Sequence, residues 1–343
     1  MANIVVIPQY YSGTSFEEIV KHMTVAAKQM DAPINFIGPT KAAKNNLHGF
    51  LLDDEYYISY QLKLIGDLIR LKDPVKILFL DFFNPGLDLL RYYHEQKNVS
   101  VKYGALLHGG TFFNNDVYSM SWLREFELAW AGIYDRIYVA SNYAKNNLPR
   151  QLCIKAKVLP WGLDGFNKIN CLNKKYDVIF PHRLSPDKGI DDLIEIIRHL
   201  PTIKFAIISP QNDATMRSNP YYKKLRKFSN AEFILGESEK QHNNTISRAK
   251  VVLSCAKQET FGYSIMKSIL SGCIPVLPQN QCYPEFFKKE YLYRNLTEAI
   301  KMIQKHISTK LINQSPQRDP VFFLKNNLFE FSFKKHFQDF FEK

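Results

Sequence analysis

The stretch Gln258-Glu-Thr-Phe-Gly-Tyr-Ser-Ile-Met-Lys-Ser-Ile-Leu-Ser-Gly-Cys-Ile-Pro-Val-Leu-Pro278 decides the fold of this 343-residue chain. It follows a short apolar run, residues 251–254, and it contains a second one near its end, residues 274–277. Between the two runs, a helix is predicted to open at Phe-Gly and to stop at Gly272. A strand, a turn, a helix and a strand in this order are typical of a parallel sheet covered by helices.

The same alternation continues on both sides and predicts two α/β halves. The predicted strands of the first half are residues 3–7, 34–37, 76–81, 104–107, 136–140 and 157–159. Those of the second half are residues 177–180, 204–209, 232–235, 251–254 and 274–277, with a helix around residues 190–200. Because residues 161–176 are polar and irregular, we place an interdomain linker there. The predicted domains are therefore residues 1–165 and 166–326, followed by a helix in residues 327–343.

The C-terminal segment predicts an amphipathic helix. Ser332 is a candidate N-cap, and Phe333, Phe337, Phe340 and Phe341 fall on one face at helical spacing. An aromatic stripe of this kind is more often buried than bound to a membrane surface, so we expect this helix to pack back on the body.

Composition and charge bound the class of protein. The chain has 45 Lys and Arg against 33 Asp and Glu, so its formal charge is 45 − 33 = +12. With 45% hydrophobic and 23% charged residues it has globular composition, which excludes a disordered or fibrous chain. The apolar runs are too short for a transmembrane helix, and residues 1–8 predict a strand and not a signal peptide. We therefore predict a cytoplasmic protein.

Several kinds of site are disfavoured by missing motifs. The five cysteines include no C-x-x-C pair, so neither a disulfide framework nor a zinc site is predicted. Neither a P-loop nor a G-x-G-x-x-G turn is present, which argues against a P-loop NTPase and a standard dinucleotide enzyme. No D-x-D occurs, so the sequence predicts no bound metal and no cofactor. Any phosphate must then be neutralised by Lys, Arg and helix N-termini.

Two strand-to-helix turns carry the candidate chemistry. The first, Pro181-His-Arg-Leu-Ser-Pro-Asp-Lys-Gly189, places Arg183 and Lys188 just before a helix, where they can neutralise a diphosphate. In the second, Glu259 and the N–H groups of the following helix offer an acceptor and several donors to a hydroxyl-rich ligand. Each turn also has an alternative interpretation. The basic residues of the first turn could simply be solvated, and Glu259 in the second could serve only the helix dipole.

Together these segments resemble family 4 of the nucleotide-sugar glycosyltransferases. The family's G-R-L-x-x-x-K-G turn is matched by residues 182–189, and the first half of its E-x-F-G-x-x-x-x-E segment by residues 259–262. Its G-x-P-V-V strand is similar to residues 272–277, and its interdomain P-N-G-V-D stretch to residues 158–164. The resemblance is clear in the second half and looser in the first. It implies the GT-B fold, in which two Rossmann-like domains face a central cleft.

The resemblance also implies roles for single residues. Glu259 would hold the donor sugar, and His108, in Leu107-His-Gly-Gly-Thr111, is similar to the first-domain histidine that faces the reacting sugar; these two are the predicted catalytic residues. Residues 8–14 look like the family's first loop, where a glycine lets the backbone approach the diphosphate. The predicted donor-binding residues are Gly13, Arg183, Lys188, Glu259, Thr260, Phe261, Gly262 and Lys267.

Lys267 is a departure from the family pattern. The resemblance implies that the second Glu of the family's motif binds the donor ribose, and in this chain that position is occupied by Lys267. A lysine cannot accept hydrogen bonds from ribose hydroxyls. We therefore expect either an active enzyme with altered donor contacts, which we favour, or a protein that no longer turns over.

The reaction implied by the resemblance is glycosyl transfer with retention at the anomeric carbon and without a metal. The co-substrate would be a nucleoside diphosphate sugar, with a UDP-sugar favoured over a GDP-sugar, and the leaving phosphate would assist the incoming hydroxyl. The implied protein works as a monomer by closing two domains about a linker.

The acceptor is predicted from charge and from a narrower resemblance. Residues 272–293 are similar to queuosine-tRNA mannosyltransferase-like proteins and to phage glycosyltransferases of hydroxylated or hydroxymethylated pyrimidines in DNA. A charge of +12 suits a polyanion such as DNA or tRNA. Basic and aromatic residues alternate in Tyr221-Tyr-Lys-Lys-Leu-Arg-Lys-Phe228, where the aromatic residues suit base stacking and the predicted phosphate-tracking residues are Lys223, Lys224, Arg226 and Lys227.

Two other functions remain open at this stage. One is a glycosyltransferase of a glycan or lipid, whose basic surface would contact an anionic membrane. The other is an inactive protein that binds a sugar nucleotide or nucleic acid. A solvated helix face explains the basic stretch equally well.

Overall fold

The computed structural model describes residues 3–8, 15–38, 55–71, 75–113, 121–166, 173–209, 213–236, 239–308, 323–325 and 331–342. The chain forms two compact units. Met1–Gly165 and Phe329–Lys343 make up the first unit, and Phe166–Leu328 makes up the second.

The first unit alternates strands and helices. Its elements are β1 (Asn3–Ile7), α1 (Ser15–Lys28), β2 (Ile34–Phe36), α2 (Glu55–Leu68), β3 (Val75–Phe79), α3 (Leu87–Gln96), β4 (Val101–Leu106), α4 (Ser121–Ile133), β5 (Arg136–Val139), α5 (Asn142–Asn146), α6 (Arg150–Lys155) and β6 (Ala156–Val158). The six described strands form a parallel sheet in the order β2-β1-β3-β4-β5-β6. Helix α1 shows why the pattern folds this way, because Phe16, Ile19 and Met23 at helical spacing are all buried.

The second unit repeats the architecture with a different strand order. Its elements are β7 (Tyr176–Phe180), α7 (Ile190–His199), β8 (Phe205–Ser209), α8 (Asp213–Met216), α9 (Pro220–Leu225), β9 (Ala231–Leu235), α10 (Glu239–Ser247), β10 (Ala249–Leu253), α11 (Tyr263–Leu270), β11 (Ile274–Pro278), α12 (Tyr283–Phe286), β12 (Leu292–Tyr293) and α13 (Leu296–Ser308). The described strands pair in parallel in the order β12-β11-β10-β7-β8-β9, which is the strand order of a dinucleotide-binding Rossmann fold.

The last helix, α14 (Lys334–Glu342), belongs to the first unit. Phe333, Phe337 and Phe340 are buried, and Ser332 accepts a hydrogen bond from the Lys334 N–H at 3.2 Å. The ring of Phe340 lies against Gly104 of β4. The predicted packing of this helix on the body is confirmed.

The predicted α/β class with two Rossmann-like halves is confirmed. Each strand that was predicted is present, with ends within two residues of the prediction except at β4, which begins three residues before the predicted start. The two-residue strand β12 and the short helices α5, α6, α8, α9 and α12 were not predicted, because a helix of less than two turns shows no period and a strand of two residues shows no alternation. Within the described ranges, no helix has the length and apolar character needed to cross a bilayer.

Candidate active site

The two turns singled out in the sequence meet in the second unit. One follows β7 and the other follows β10, and these strands are neighbours in the sheet, with Val178 paired to Val251. Strand order reverses at this point, because β8 lies on the far side of β7 and β11 on the far side of β10. Ligands of open α/β sheets bind beyond the carboxyl ends of the strands at such a switch point.

The turn after β7 is organised around a buried carboxylate. Asp187 is 3% exposed at its side chain and accepts a hydrogen bond from Arg183 Nη2 at 2.8 Å. Arg183 Nε donates to Ser185 Oγ at 2.9 Å, and Ser185 in turn donates to Asp187. Arg183 is 37% exposed, so the guanidinium is fixed from inside and open to solvent on its other side. A guanidinium carries five N–H donors, so a phosphate can still be bound.

Lys188 joins the two turns. Its Nζ donates to the backbone oxygen of Gln258 at 2.9 Å and to Glu259 Oε2 at 3.2 Å, and it lies 3.4 Å from Asp187 Oδ2. Lys188 and Glu259 are 12% and 15% exposed at their side chains. The ammonium of Lys188 is thus held by two hydrogen bonds and one ion pair.

The backbones of the two turns are also in direct contact. The carbonyl oxygen of Asp187 accepts hydrogen bonds from the N–H groups of Lys257 at 2.8 Å and Gln258 at 3.2 Å. Gly189 has φ +67°, and a Cβ at this position would lie 1.9 Å from the carbonyl oxygen of Cys255. Because only glycine permits this close approach, Gly189 is required for the packing of the two turns.

The cluster is ionised and balanced in charge. Burial opposes ionisation of Glu259, but Lys188, His182 and Arg183 together outweigh it and lower the pKa of this carboxyl. For Asp187, burial is likewise outweighed by Lys188 and Arg183, and its pKa is lowered. Two cations thus face two carboxylates, and additional negative charge from a ligand must be met by further donors.

Those further donors are supplied by two helix N-termini. Helices α7 and α11 begin directly after Gly189 and Gly262, both in the left-handed conformation. The first N–H groups of a helix have no partner within the helix and favour anions. Phe261 is buried and packs edge-on against Tyr263 and Phe286, at ring distances of 5.0 and 5.6 Å, which fixes the start of α11.

A chain of buried polar groups supports the site from behind. His182 Nε2 lies 3.1 Å from Ser254 Oγ, which lies 2.8 Å from the hydroxyl of Tyr283. Tyr293 donates to the backbone oxygen of Ser254 at 2.9 Å. Burial, with Lys188 nearby, lowers the pKa of His182 to about 3, so this imidazole is neutral at physiological pH. The chain ties the ends of β7 and β10 to α12.

Thr260 and Lys267 complete the predicted donor-binding set. Thr260 is buried in the turn before Phe261, and Lys267 lies on α11 with 4% exposure. Burial of a charged lysine is costly unless it is paired. Its predicted effect on the donor ribose stays a prediction.

In the first unit, His108 lies beyond the carboxyl ends of the strands, the edge at which open α/β sheets bind ligands. It follows β4, and its Nε2 is 3.9 Å from Asp81 Oδ1, which follows the neighbouring strand β3. The ring of Phe16 packs edge-on against the imidazole at 4.4 Å. Asp81 also accepts a hydrogen bond from the Phe82 N–H at 2.8 Å. The predicted catalytic role of His108 stays a prediction.

A second buried carboxylate shapes the loop after His108. Glu127 of α4 is 3% exposed and accepts hydrogen bonds from the N–H group, at 3.0 Å, and the hydroxyl of Thr111. Gly110 has φ +128°, and a Cβ there would lie 2.9 Å from Glu127 Oε1. The double glycine after His108 therefore lets the loop close over this carboxylate.

The predicted phosphate-tracking residues lie on one exposed surface. Lys223, Lys224, Arg226 and Lys227 are all exposed, on or just after α9. Tyr222 is 5% exposed and its hydroxyl donates to Asp213, so the prediction that an aromatic residue here stacks on a base is wrong for Tyr222. Its ring serves instead to anchor the short helix.

The structure thus brings together Arg183, Lys188 and Glu259, with Thr260, Phe261 and Gly262 beside them. Gly13 lies outside the described residues. Sequence reasoning missed Asp187, although this acidic residue stands between the two cations in the quoted turn. It also missed Asp81 and Glu127, whose partners are 27 and 16 positions away along the chain and come close only when the unit folds. In the described part of the chain, no group of three or more His, Cys, Asp or Glu residues is placed to hold a metal.

Comparison with known proteins agrees with this architecture. Residues 165–319 match the family described as "Glycosyl transferases group 1". The tRNA-queuosine alpha-mannosyltransferase of Drosophila melanogaster is 25% identical over 170 residues, covering 46% of this chain and 42% of that protein. The chain therefore spans less than half the length of this curated relative.

Solved structures share the fold at low sequence identity. Sucrose-phosphate synthase from Thermosynechococcus elongatus has a TM-score of 0.69 at 12% identity, with 100% of both chains covered. A variant of S. aureus TarM, in complex with Fondaparinux, alpha-GlcNAc-glycerol and UDP, has a TM-score of 0.55 at 14% identity, over 74% of this chain and 53% of that one. With two parallel Rossmann-like sheets and the paired turns at the switch point, the chain has the GT-B fold, and its residues 165–319 match the family of group 1 glycosyl transferases.

Proposed function

We propose that this protein transfers a sugar, with retention and without a bound metal, from a nucleoside diphosphate sugar to a modified base in nucleic acid. The observation that carries the donor half is the meeting of Arg183, Lys188 and Glu259 at the switch point of the second unit. We favour a UDP-sugar over a GDP-sugar as donor.

The donor chemistry follows from the cluster. Transfer breaks the bond between the anomeric carbon and the phosphate oxygen, so negative charge develops on the departing diphosphate. Arg183, with its solvent-facing donors, and the N-termini of α7 and α11 are suited to stabilise that charge. Glu259 remains ionised beside Lys188 and is suited to accept hydrogen bonds from sugar hydroxyls.

The acceptor half rests on charge and on one relative. The formal charge of +12 and the exposed basic residues around α9 favour a polyanionic acceptor. The relative that matches over 170 residues is named for its action on tRNA-queuosine. Either tRNA or DNA with a hydroxylated or hydroxymethylated base fits this proposal.

A glycan acceptor is the second candidate. The TarM variant of similar fold was solved with UDP and with alpha-GlcNAc-glycerol, a sugar attached to a small alcohol. A fold of this kind therefore accommodates acceptors other than nucleic acid.

The donor half is tested by thermal shift with UDP-, GDP- and ADP-sugars. We expect one nucleotide sugar to raise the melting temperature in a concentration-dependent way, because a ligand that binds only the folded state stabilises it. Glu259→Ala and Arg183→Ala should lose this shift. The matched controls Glu195→Ala and Arg198→Ala change the same residue types on the exposed surface of α7 and should keep it. Absence of a shift with every nucleotide sugar would contradict the proposal.

The acceptor half is tested by transfer. The donor found by thermal shift is supplied in radiolabelled form with total tRNA, with DNA rich in hydroxymethylated pyrimidine, or with a mixture of cell-surface glycans. Label that stays on the nucleobase after tRNA or DNA has been digested supports a nucleic-acid base as the acceptor. Label only in glycans would assign the second candidate, and binding of the donor without transfer to any of them would indicate an inactive binding protein.

A further inference from the structure

Two aromatic side chains on α4 are exposed to solvent. Trp122 is 51% exposed and Phe126 is 56% exposed, although both are large apolar residues. Of the three tryptophans of the chain, Trp130 and Trp161 are buried, at 5% and 1% exposure. Trp122 and Phe126, named here the aromatic platform, stand one turn apart on the same face of the helix, with ring centroids 6.0 Å apart.

The platform is rigidly mounted. Phe126 packs on Trp130 at a ring distance of 6.4 Å, and Trp130 packs edge-on against Phe83 at 5.1 Å. A ladder of rings therefore runs from the solvent into the core of the first unit. Aromatic side chains fixed in this way lose little conformational entropy when a ligand stacks on them.

The same two turns of α4 are fastened to the loop that follows His108. Arg124 donates from Nη1 to the backbone oxygen of Thr111 at 3.1 Å, and its Cζ lies 5.3 Å over the ring of Phe112. Glu127 accepts hydrogen bonds from Thr111 on the neighbouring turn of the helix. The platform is thus attached at the ligand-binding edge of the sheet, three residues beyond His108.

We propose that the aromatic platform of Trp122 and Phe126 stacks an unpaired nucleobase of the acceptor strand. This inference rests on the proposed function in taking nucleic acid as the acceptor. Stacking on an aromatic ring is a general way of holding an unpaired base, since every base offers a flat π-face. It also assigns to α4 the stacking role that the buried Tyr222 of α9 cannot perform.

Charge and size favour a base over other occupants. A strand of nucleic acid is drawn to a chain of formal charge +12, while the two exposed charged residues between the rings in sequence, Arg124 and Glu125, balance each other. Two rings one turn apart offer an area suited to one planar group. A protein partner of comparable affinity would need a far broader surface, on the order of 800 Å² on this side.

The proposal is tested by the fluorescence of Trp122, because the other two tryptophans are buried. A short single-stranded oligonucleotide is titrated into the full chain, with no nucleotide sugar present. We expect quenching that saturates in the unaltered chain. By anisotropy of a labelled oligonucleotide, which does not depend on Trp122, the Kd should rise about tenfold in Trp122→Ala and in Phe126→Ala, the usual loss for one stacked base. Trp122→Phe should keep affinity within about threefold while losing most of the quenching signal, with binding then followed by anisotropy of a labelled oligonucleotide.

Controls separate this proposal from the proposed function and from misfolding. Ile154→Ala removes another exposed apolar side chain, 74% exposed on α6, and should leave Kd unchanged. The circular dichroism spectrum of each platform variant should match that of the unaltered chain, which shows that the first unit is folded. The donor thermal shift, which uses the second unit, should persist in all platform variants. Unchanged oligonucleotide affinity in Trp122→Ala and Phe126→Ala would overturn the proposal, as would quenching by a neutral oligosaccharide or by anionic vesicles but not by the oligonucleotide. If the donor shift is absent from the unaltered chain while the quenching persists, the proposed transfer fails and the platform stands.

Discussion

Asp187 determines how the two cations of the donor turn are used. It is buried and paired with both Arg183 and Lys188, yet only Arg183 keeps a side open to solvent. Lys188 donates hydrogen bonds to Gln258 and Glu259 and forms an ion pair with Asp187. We infer a division of labour in which Arg183 contacts the diphosphate and Lys188 holds Glu259 in place.

This division predicts different effects of two alanine variants. Arg183→Ala should weaken binding of the free nucleoside diphosphate and of the nucleotide sugar alike, each by about 10- to 100-fold, since charge-assisted hydrogen bonds contribute about 1.5–3 kcal/mol. Lys188→Ala should weaken the nucleotide sugar more than the free diphosphate, because Glu259 loses the partner that orients it. Isothermal titration calorimetry with both ligands measures the difference, with Arg198→Ala as the control. Equal losses for both ligands in Lys188→Ala would contradict the division.

Residues that act through local sequence were predictable, and residues that act across the sheet were not. Arg183, Lys188 and Glu259 follow strands recognised by their apolar runs, so the carboxyl edge of the sheet was expected to collect them. The contact of the Asp187 carbonyl with Lys257 and Gln258 depends on β7 lying next to β10, and strand order is not written in the order of the chain.

Helix α14 is held on the first unit by polar contacts as well as by its phenylalanines. Asp339 is 6% exposed, accepts a hydrogen bond from the Tyr138 hydroxyl at 2.9 Å and pairs with Lys157 and Arg136. Lys76 donates to the backbone oxygens of Phe340 and Phe341, both at 2.7 Å, which satisfies carbonyls at the end of the helix.

The buried carboxylate of Asp339 is expected to contribute strongly to stability. Asp339→Ala should lower the free energy of unfolding by about 3 kcal/mol, because it leaves the Tyr138 hydroxyl and two cations without their buried partner. Chemical denaturation followed by circular dichroism measures this change. Lys335→Ala, an exposed position on the same helix, should have little effect. A loss as small in Asp339→Ala as in the control would show that the aromatic face alone holds the helix.

The buried histidine of α14 is expected to make stability depend on pH. His336 is fully buried among aromatic rings, and burial lowers its pKa from 6.5 to about 3. Between these values the unfolded chain binds a proton that the folded chain does not, so stability falls as the pH falls from 6.5 towards 3.

Replacing this histidine should remove part of that acid sensitivity. We expect His336→Phe to be folded at neutral pH, since phenylalanine fits a cage of rings, and to lose less stability on acidification than the unaltered chain. Urea midpoints measured across this pH interval test it, with the exposed His199→Phe as control. A pH dependence identical to that of the unaltered chain would contradict the prediction.

Elements of ordinary length were predictable from periodicity, and the shortest ones were not. The five-residue strand β10 and helix α7 carry clear apolar patterns, and their ends were found within one or two residues. Strand β12 has two residues and forms because β11 offers it a free edge, which is a tertiary cause. Helix α9 begins with an N-cap, Asn219, which accepts hydrogen bonds from the Tyr221 and Tyr222 N–H groups, and has too few turns for a period to show.

The excess positive charge of the whole molecule has a local concentration at α9. Four exposed basic residues lie within five positions, while Tyr222 and Leu225 are buried and anchor them. Lys224 lies 3.7 Å from Asp191, but both side chains are largely exposed, so this pair contributes little energy.

The concentration predicts the salt dependence of nucleic-acid binding. Replacing Lys223, Lys224, Arg226 and Lys227 together by Gln should reduce the slope of log K against log salt by about 3 to 4, since each phosphate contact releases counterions worth about 0.9 of slope. Filter binding to duplex DNA over a series of salt concentrations measures it. A control that replaces the exposed residues Lys28, Lys301, Lys305 and Lys335 by Gln removes the same charge and should keep the slope. An equal fall of the slope in both variants would show that the basic residues around α9 act only through the net charge and do not contact phosphates.

The placement of α14 in the first unit means that the second unit is an insertion within the first. During synthesis the second unit is complete while the first still lacks the helix that covers Gly104, Tyr138 and Trp161. Domains generally fold as units as the chain emerges, so the first to begin here is the last to finish. Until α14 has been synthesised, the uncovered sheet of the first unit can associate with other chains. Premature termination of translation should therefore release a protein whose second unit is folded and whose first unit exposes apolar surface and tends to aggregate.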